Sequence, residues 1–187
     1  MRLLFVAAMT AALATATNAE DKKGTPVELG GLKSTTPGAW KEETPSNRMR
    51  LMQFKLPKAE GDTEDAELAL FKSPGGGSIQ ANLERQEKKF EIPAGKKAED
   101  VIKTEKLKFG DKYEGAYQDI QGTFLKKFPP FDPNAKTTKV TDYRQIYVAF
   151  EVKDGDNTVL YTMTLLGPTK TVEKNKKAFD EWVKSFK

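Results

Sequence analysis

The chain has neither cysteine nor histidine. Without cysteine there are no disulfides, so stability must come from packing even in an oxidising compartment. Without either residue, Ser-His and Cys-His nucleophile pairs and histidine- or thiolate-ligated metal sites are impossible within the chain. Carboxylate, lysine or tyrosine chemistry stays open, but the commonest catalytic parts are missing. The chain also lacks a strong charge of one sign. Lys and Arg number 31 against 27 Asp and Glu, a formal net charge of +4. The lysines are spread among the acids, as on a solvated face, and the aromatics follow strand positions instead of tracking the lysines. No nucleic-acid partner is therefore expected.

Long apolar runs are scarce too. The only one opens the chain, in MRLLFVAAMTAALATATNAED. Arg2 is a minimal basic region, Leu3 to Ala14 is apolar except for Thr10, and Thr17-Asn18-Ala19 sets small residues before Glu20. This is the pattern of a secretory signal over residues 1–19, cut after Ala19. The run is too short for a bilayer core, which needs roughly 20 apolar residues. No integral membrane segment is expected after cleavage, and no cysteine follows to carry a lipid anchor. The chain is therefore expected in the periplasm or outside the cell, as one domain of ordinary size.

Residues 20–36 are polar and rich in Gly, Pro, Ser and Thr, and read as a flexible N-terminal arm. A single domain is expected over 37–187. Trp40 is expected to fold the end of the arm onto the core. RMRLMQFKLP alternates, with Met52, Phe54 and Leu56 on one side, and reads as a half-buried strand. ELALFKS is a second strand, SPGGG a turn and SIQAN a third strand. Asn82 then suits a helix N-cap, with Glu84 in the first turn, and Leu83 shares a face with Phe90. KKAEDVIK is a further helical turn. KTEKLKF and YEGAYQDIQGTFLKK form a hairpin around Gly110-Asp111, and FPPFDPNAKTTK is a proline-rich loop. DYRQIYVAFEVK is the clearest strand, with Ile146, Val148, Phe150 and Val152 on one face. DGDN is its hairpin turn and TVLYTMTLL the return. In the last helix, Val172, Phe179, Trp182, Val183 and Phe186 fall on one stripe, with Thr169 or Thr171 as cap. Consecutive hairpins imply an antiparallel sheet that the helices must cover, an α+β layered fold.

Three segments in this order carry a resemblance. They are PGAWKEETPSNRMRLMQFKLP, the glycine turn leading to Asn82 and Arg85, and DYR followed by LLGPTKTVEKNKKAFDEWVKSF. Together they resemble exported, uncharacterised bacterial proteins of the Mog1/PsbP-like fold, an antiparallel β-sheet sandwiched by helices. The resemblance covers roughly Pro37 to Phe186. Such relatives tend to read N-x-x-R-W-x-x-Q-F after the glycine turn. Here Asn82, Arg85 and Phe90 match, while Gln86 and Lys89 depart from the pattern. Members of the wider fold, a photosystem II extrinsic subunit and a Ran-binding import factor, act by binding proteins. The resemblance implies no catalytic residue, and fold alone does not fix function.

The candidate binding residues are Asn82, Arg85 and Lys89. Their bland role is local: Asn82 caps, and Arg85 pairs with Glu84 or Glu87. Their functional role is to present Arg85 and Lys89, one turn apart, to an acidic partner. The glycine turn lacks the G-x-x-x-x-G-K-[ST] spacing, and a strand is expected between it and the helix. A phosphate loop needs the helix to open at the glycines. GDTEDAE, with Asp62, Glu64, Asp65 and Glu67, and the DGDN turn could collect a cation weakly. Neither has the ligand order of an EF-hand loop, so no metal site and no cofactor is assigned. The expected function is an exported, non-enzymatic binding or accessory protein acting through contacts with a protein of the envelope or exterior. The alternative is a small-ligand or divalent-cation binding protein with a site in a cleft.

Overall fold

The structure is a computed structural model that describes residues 23–128, 132 and 134–187. The expected signal segment and its expected cut after Ala19 lie outside these residues. Strands β1 (Pro26–Leu29) and β2 (Leu32–Thr35) pair antiparallel across Gly30-Gly31. Both glycines have positive φ, 60° and 80°, as a two-residue hairpin turn of this hand requires. Val27, Leu29 and Leu32 are buried in the main core. The part of the expected flexible arm over Pro26–Thr35 is thus a docked hairpin. Backbone bonds from Lys33 N to Lys187 O, 2.8 Å, and from Lys187 N to Lys33 O, 3.2 Å, fasten it to the far end of the chain.

The large sheet has eight strands among the described residues. They are β3 (Lys41–Glu43), β4 (Arg50–Leu56), β5 (Ala66–Pro74), β6 (Phe90–Glu91), β7 (Ile102–Phe109), β8 (Tyr113–Phe128), β9 (Lys136–Asp154) and β10 (Asn157–Pro168). Their order is β3-β4-β5-β10-β9-β8-β6, with β7 also pairing β8, and every pairing is antiparallel. The helices are α1 (Ile79–Glu87), the single turn α2 (Ala98–Val101) and α3 (Thr169–Lys184). The fold is α+β, mostly antiparallel sheet with a few helices.

Alternation along β9 sends its residues to two different interiors. Ile146, Val148 and Phe150 join the main core with Val172, Phe179, Trp182, Val183 and Phe186 from α3 and beyond it. The expected helical stripe is therefore the buried one. Trp40 completes this core, edge-on to Trp182 at 5.3 Å and stacked on Phe179 at 6.4 Å. Each such aromatic contributes on the order of 1.5–3 kcal/mol by burial. Tyr147 and Ala149, pointing the other way, form a smaller cluster with Leu83 of α1, Ala116 and Leu160. Buried amides of Asn82, Gln86, Gln118 and Gln145 belong to the described interior as well. The α3 side of the sheet is an aromatic core, and the α1 side is small and rich in amides.

Two expectations change here. SIQAN is not a strand: Ser78 is the N-cap of α1, its Oγ accepting from Ala81 N at 3.2 Å. Phe90 does not lie on that helix, which ends at Glu87; it opens β6 and packs on Phe124 at 5.4 Å.

Candidate functional site

The glycine turn runs straight into α1. Gly75 and Gly77 take positive φ, 64° and 81°, which any residue with a Cβ resists. Ser78 then starts the helix, so Asn82 is not its cap but lies one turn inside. The Asn82 side chain is spent on holding its surroundings. Its Nδ2 donates to Gly76 O at 3.0 Å and Ser78 O at 2.9 Å. Its Oδ1 accepts from Arg85 NH1 at 2.8 Å. A helix opening at glycines is the geometry of an anion seat, but this one is occupied. Glu151 Oε1 accepts from Ile79 N at 3.3 Å, and Ser78 Oγ serves Ala81 N. The phosphate-loop reading therefore fails because a carboxylate already fills the seat, and not because a strand intervenes.

Arg85 is exposed and forms no salt bridge among the described residues. The expected carboxylates are turned elsewhere: Glu84 accepts from Gln80 at 3.1 Å and Glu87 from Gln118 at 2.9 Å. Lys89 departs from the expected arrangement. α1 ends at Glu87 with Lys88 as its C-cap, so Lys89 does not continue the row of Arg85. Its ammonium folds back to donate to Gln86 Oε1 at 2.7 Å, and desolvation lowers its pKa. Gln86 Oε1 also accepts from Gln145 at 3.3 Å, tying Lys89 into the amide layer under α1. The structure thus joins Asn82 to Arg85 and turns Lys89 away from them.

A second group of charges lies where no motif pointed. A cleft of about 270 Å³ between α3, β7 and β8 is lined by Lys103, Lys106, Tyr117, Asp119, Lys176 and Asp180, among others. Tyr117 donates its hydroxyl to Asp180 Oδ1 at 2.8 Å. Lys176 donates to Tyr117 Oη at 2.9 Å and to Asp180 Oδ2 at 2.5 Å. Beside them Arg144 grips Asp119 with two bonds, 2.8 and 2.6 Å, and reaches Glu173 on α3. The hydrogen bond to Asp119 raises the Arg144 pKa, and burial, with Asp180, raises that of Tyr117. Both shifts favour the protonated form. The Lys176/Asp180 spacing and the Tyr117/Asp119 alternation were visible in sequence. The strand register and helix placement that bring them together were not.

The acidic loop is structural. Asp62 Oδ2 accepts from Thr171 N at 2.9 Å and from Thr171 Oγ1 at 2.6 Å, capping α3 from a distant loop. The cap expected from Thr169 or Thr171 is replaced by this carboxylate. Asp65 accepts from Lys58 N, Glu64 from the Tyr143 hydroxyl, and Glu67 pairs with Arg50 at 2.8 Å. Among the described residues, no group of three or more carboxylates is placed to hold a metal ion. The DGDN turn is a hairpin connection with Asp154 opposite Asn157.

No family model matches this chain, and no curated protein matches it. Solved structures share its fold, among them LpqN, described as involved in cell envelope biogenesis of Mycobacterium tuberculosis. The TM-score is 0.53 at 10% identity, over 87% of this chain and 83% of that one. The likeness is one of fold. No helix among the described residues is long and apolar enough to cross a membrane.

Proposed function

We propose that this chain is an exported, non-enzymatic accessory protein, built on the Mog1/PsbP-like plan, that works by binding an acidic segment of an envelope or secreted protein. The observation that carries this reading is the state of Arg85. Buried Asn82 positions its guanidinium, and no carboxylate of the described chain neutralises it. A preoriented, exposed guanidinium suits bidentate recognition of a carboxylate. The cleavable leader pattern supports export, and the likeness to an envelope-biogenesis protein agrees with that setting. Packing of α1 and α3 against alternate residues of β9 supports the layered plan.

The test is cross-linking capture from the native host with tagged chain from Glu20 onward, comparing parent with Arg85→Ala and Lys89→Ala. Arg85→Ala should abolish capture of a discrete partner while shifting the unfolding midpoint by under about 1 kcal/mol, since an exposed side chain is removed. Lys89→Ala should retain it. Retention by Arg85→Ala would move the interface elsewhere. A second reading, a small-ligand site, is favoured by the half-buried Lys176–Tyr117–Asp180 group at the α3 cleft. Thermal stabilisation by small anions, lost in Lys176→Ala, would support it.

A further inference from the structure

β8 and β9 outrun the rest of the sheet. Past a register shift between Gly122 and Phe124 they pair Phe124↔Val140, Leu125↔Lys139, Lys126↔Thr138, Lys127↔Thr137 and Phe128↔Lys136. β6 flanks only the start of this stretch, at Phe124 and Thr123, and just before β6 the Lys89 carbonyl accepts from Leu125 N at 2.8 Å. Beyond that point no third strand is paired to it among the described residues. Residues 126–128 and 136–139 are all exposed, and Phe128 is 73% exposed. A bare two-stranded ribbon is marginal in water, so an exposed Phe at its end is not explained by folding.

The charge on this ribbon is of one sign. Directly opposed residues share a face, so Lys126, Phe128 and Lys136 lie on one face and Lys127 and Lys139 on the other. Among the described residues only Lys139 of these four lysines is ion-paired, to Glu91 at 2.7 Å. Lysines on both faces around an exposed aromatic make no groove and no shaped pocket. A protein partner would need shape complementarity there. A fluid anionic surface does not: ammoniums reach headgroups all round while the ring enters the boundary beneath.

We propose that the β8–β9 ribbon is a membrane-contact device that docks the exported protein on an anionic phospholipid surface. This is independent of the partner site at Arg85, which lies on α1. Contact is reversible, because it rests on one ring and a few lysines.

The test is sedimentation of the chain from Glu20 onward with vesicles of phosphatidylglycerol and phosphatidylcholine, or of phosphatidylcholine alone. Binding should be confined to the anionic vesicles and weaken steeply with salt. Lys126→Glu, Lys127→Glu and Lys136→Glu combined should weaken it by at least about 100-fold, since each lysine near the surface is worth roughly five-fold. The same three charge reversals at Lys106, Lys153 and Lys184 should weaken it far less. Phe128→Trp should shift its emission to the blue on vesicles, against a background of the buried Trp40 and Trp182. Equal loss in both triple variants, unchanged emission of the tryptophan at 128, or no anionic-vesicle binding at all would overturn the proposal. Saturable binding of soluble acidic polypeptide in place of vesicles would assign the ribbon to a protein instead.

Discussion

Asp62→Ala removes a single carboxylate from an exposed-looking loop, and its effect should be large. Asp62 Oδ2 is the acceptor for both the backbone N–H and the hydroxyl of Thr171 at the start of α3. Loss of a capping acceptor costs about 0.5–2 kcal/mol, and loss of negative charge at a helix N-terminus roughly 0.3–1 kcal/mol. Thr171 is fully buried, so its hydroxyl, which still accepts from Ala59 N, loses its own acceptor in the interior. An unsatisfied buried group of this kind costs about 1–3 kcal/mol. These contributions overlap, and a total of about 2–4 kcal/mol follows. Asp62→Asn keeps an acceptor and loses the charge, so it should cost about 1 kcal/mol or less. Urea unfolding followed by tryptophan emission reads α3 directly, because Trp40 and Trp182 pack on each other there. The midpoint should fall with unchanged slope, and added calcium should leave the parent unmoved. An Asp62→Ala midpoint within about 0.5 kcal/mol of the parent would falsify the distant cap. Calcium stabilisation of the parent that vanishes in Asp62→Ala would restore the loop as a cation site.

Burial of Tyr147 pushes its pKa up to about 12, from an ordinary value near 10. The unfolded phenol ionises first, so stability is intact below pH 10 and falls as the pH rises towards 12, by about 1.4 kcal/mol per unit from this group. Tyr147→Phe should flatten that alkaline decline, measured as unfolding free energy against pH; an unchanged decline would remove Tyr147 from its cause. Gly110 has φ of 57°, and a Cβ there would collide with the Leu32 side chain and lie 3.1 Å from Phe186 O. Gly110→Ala should therefore destabilise by about 1–3 kcal/mol and open the β1–β2 hairpin to hydrogen exchange, whereas retained protection at Lys33 would contradict the packing.

The parts of this fold that were legible are those whose signal is local and long. β9 announces itself by alternation, and α3 by four apolar residues on one stripe that Phe186 continues past its end, all of them buried. Trp40 was readable because a lone large aromatic in a polar segment needs somewhere to go. The β1–β2 hairpin was missed, although Gly30-Gly31 between Val27, Leu29 and Leu32 is itself a hairpin signal. Those strands are only four residues long, and what buries Leu32 comes from remote parts of the chain. SIQAN was ambiguous because five residues satisfy either periodicity; Ser78 as a hydroxyl cap and Leu83 facing the sheet decided for helix. At the candidate site the Arg85–Asn82 contact was legible because the two lie within a turn of each other. The placement of Lys89 was not, because the helix stops two residues earlier. The Arg144–Asp119 grip could not be foreseen, since it exists only once β8 and β9 are in register.

The paired backbone bonds between Lys33 and Lys187 set an order of events during synthesis. The hairpin is among the first described segments made, yet its docking edge is among the last. Until residue 187 is available, the apolar side of Val27, Leu29 and Leu32 has no complete seat, and the nascent chain cannot close its core. Contacts of such sequence separation also slow closure once the chain is released. Closure of the core therefore waits on a contact between remote parts of the chain.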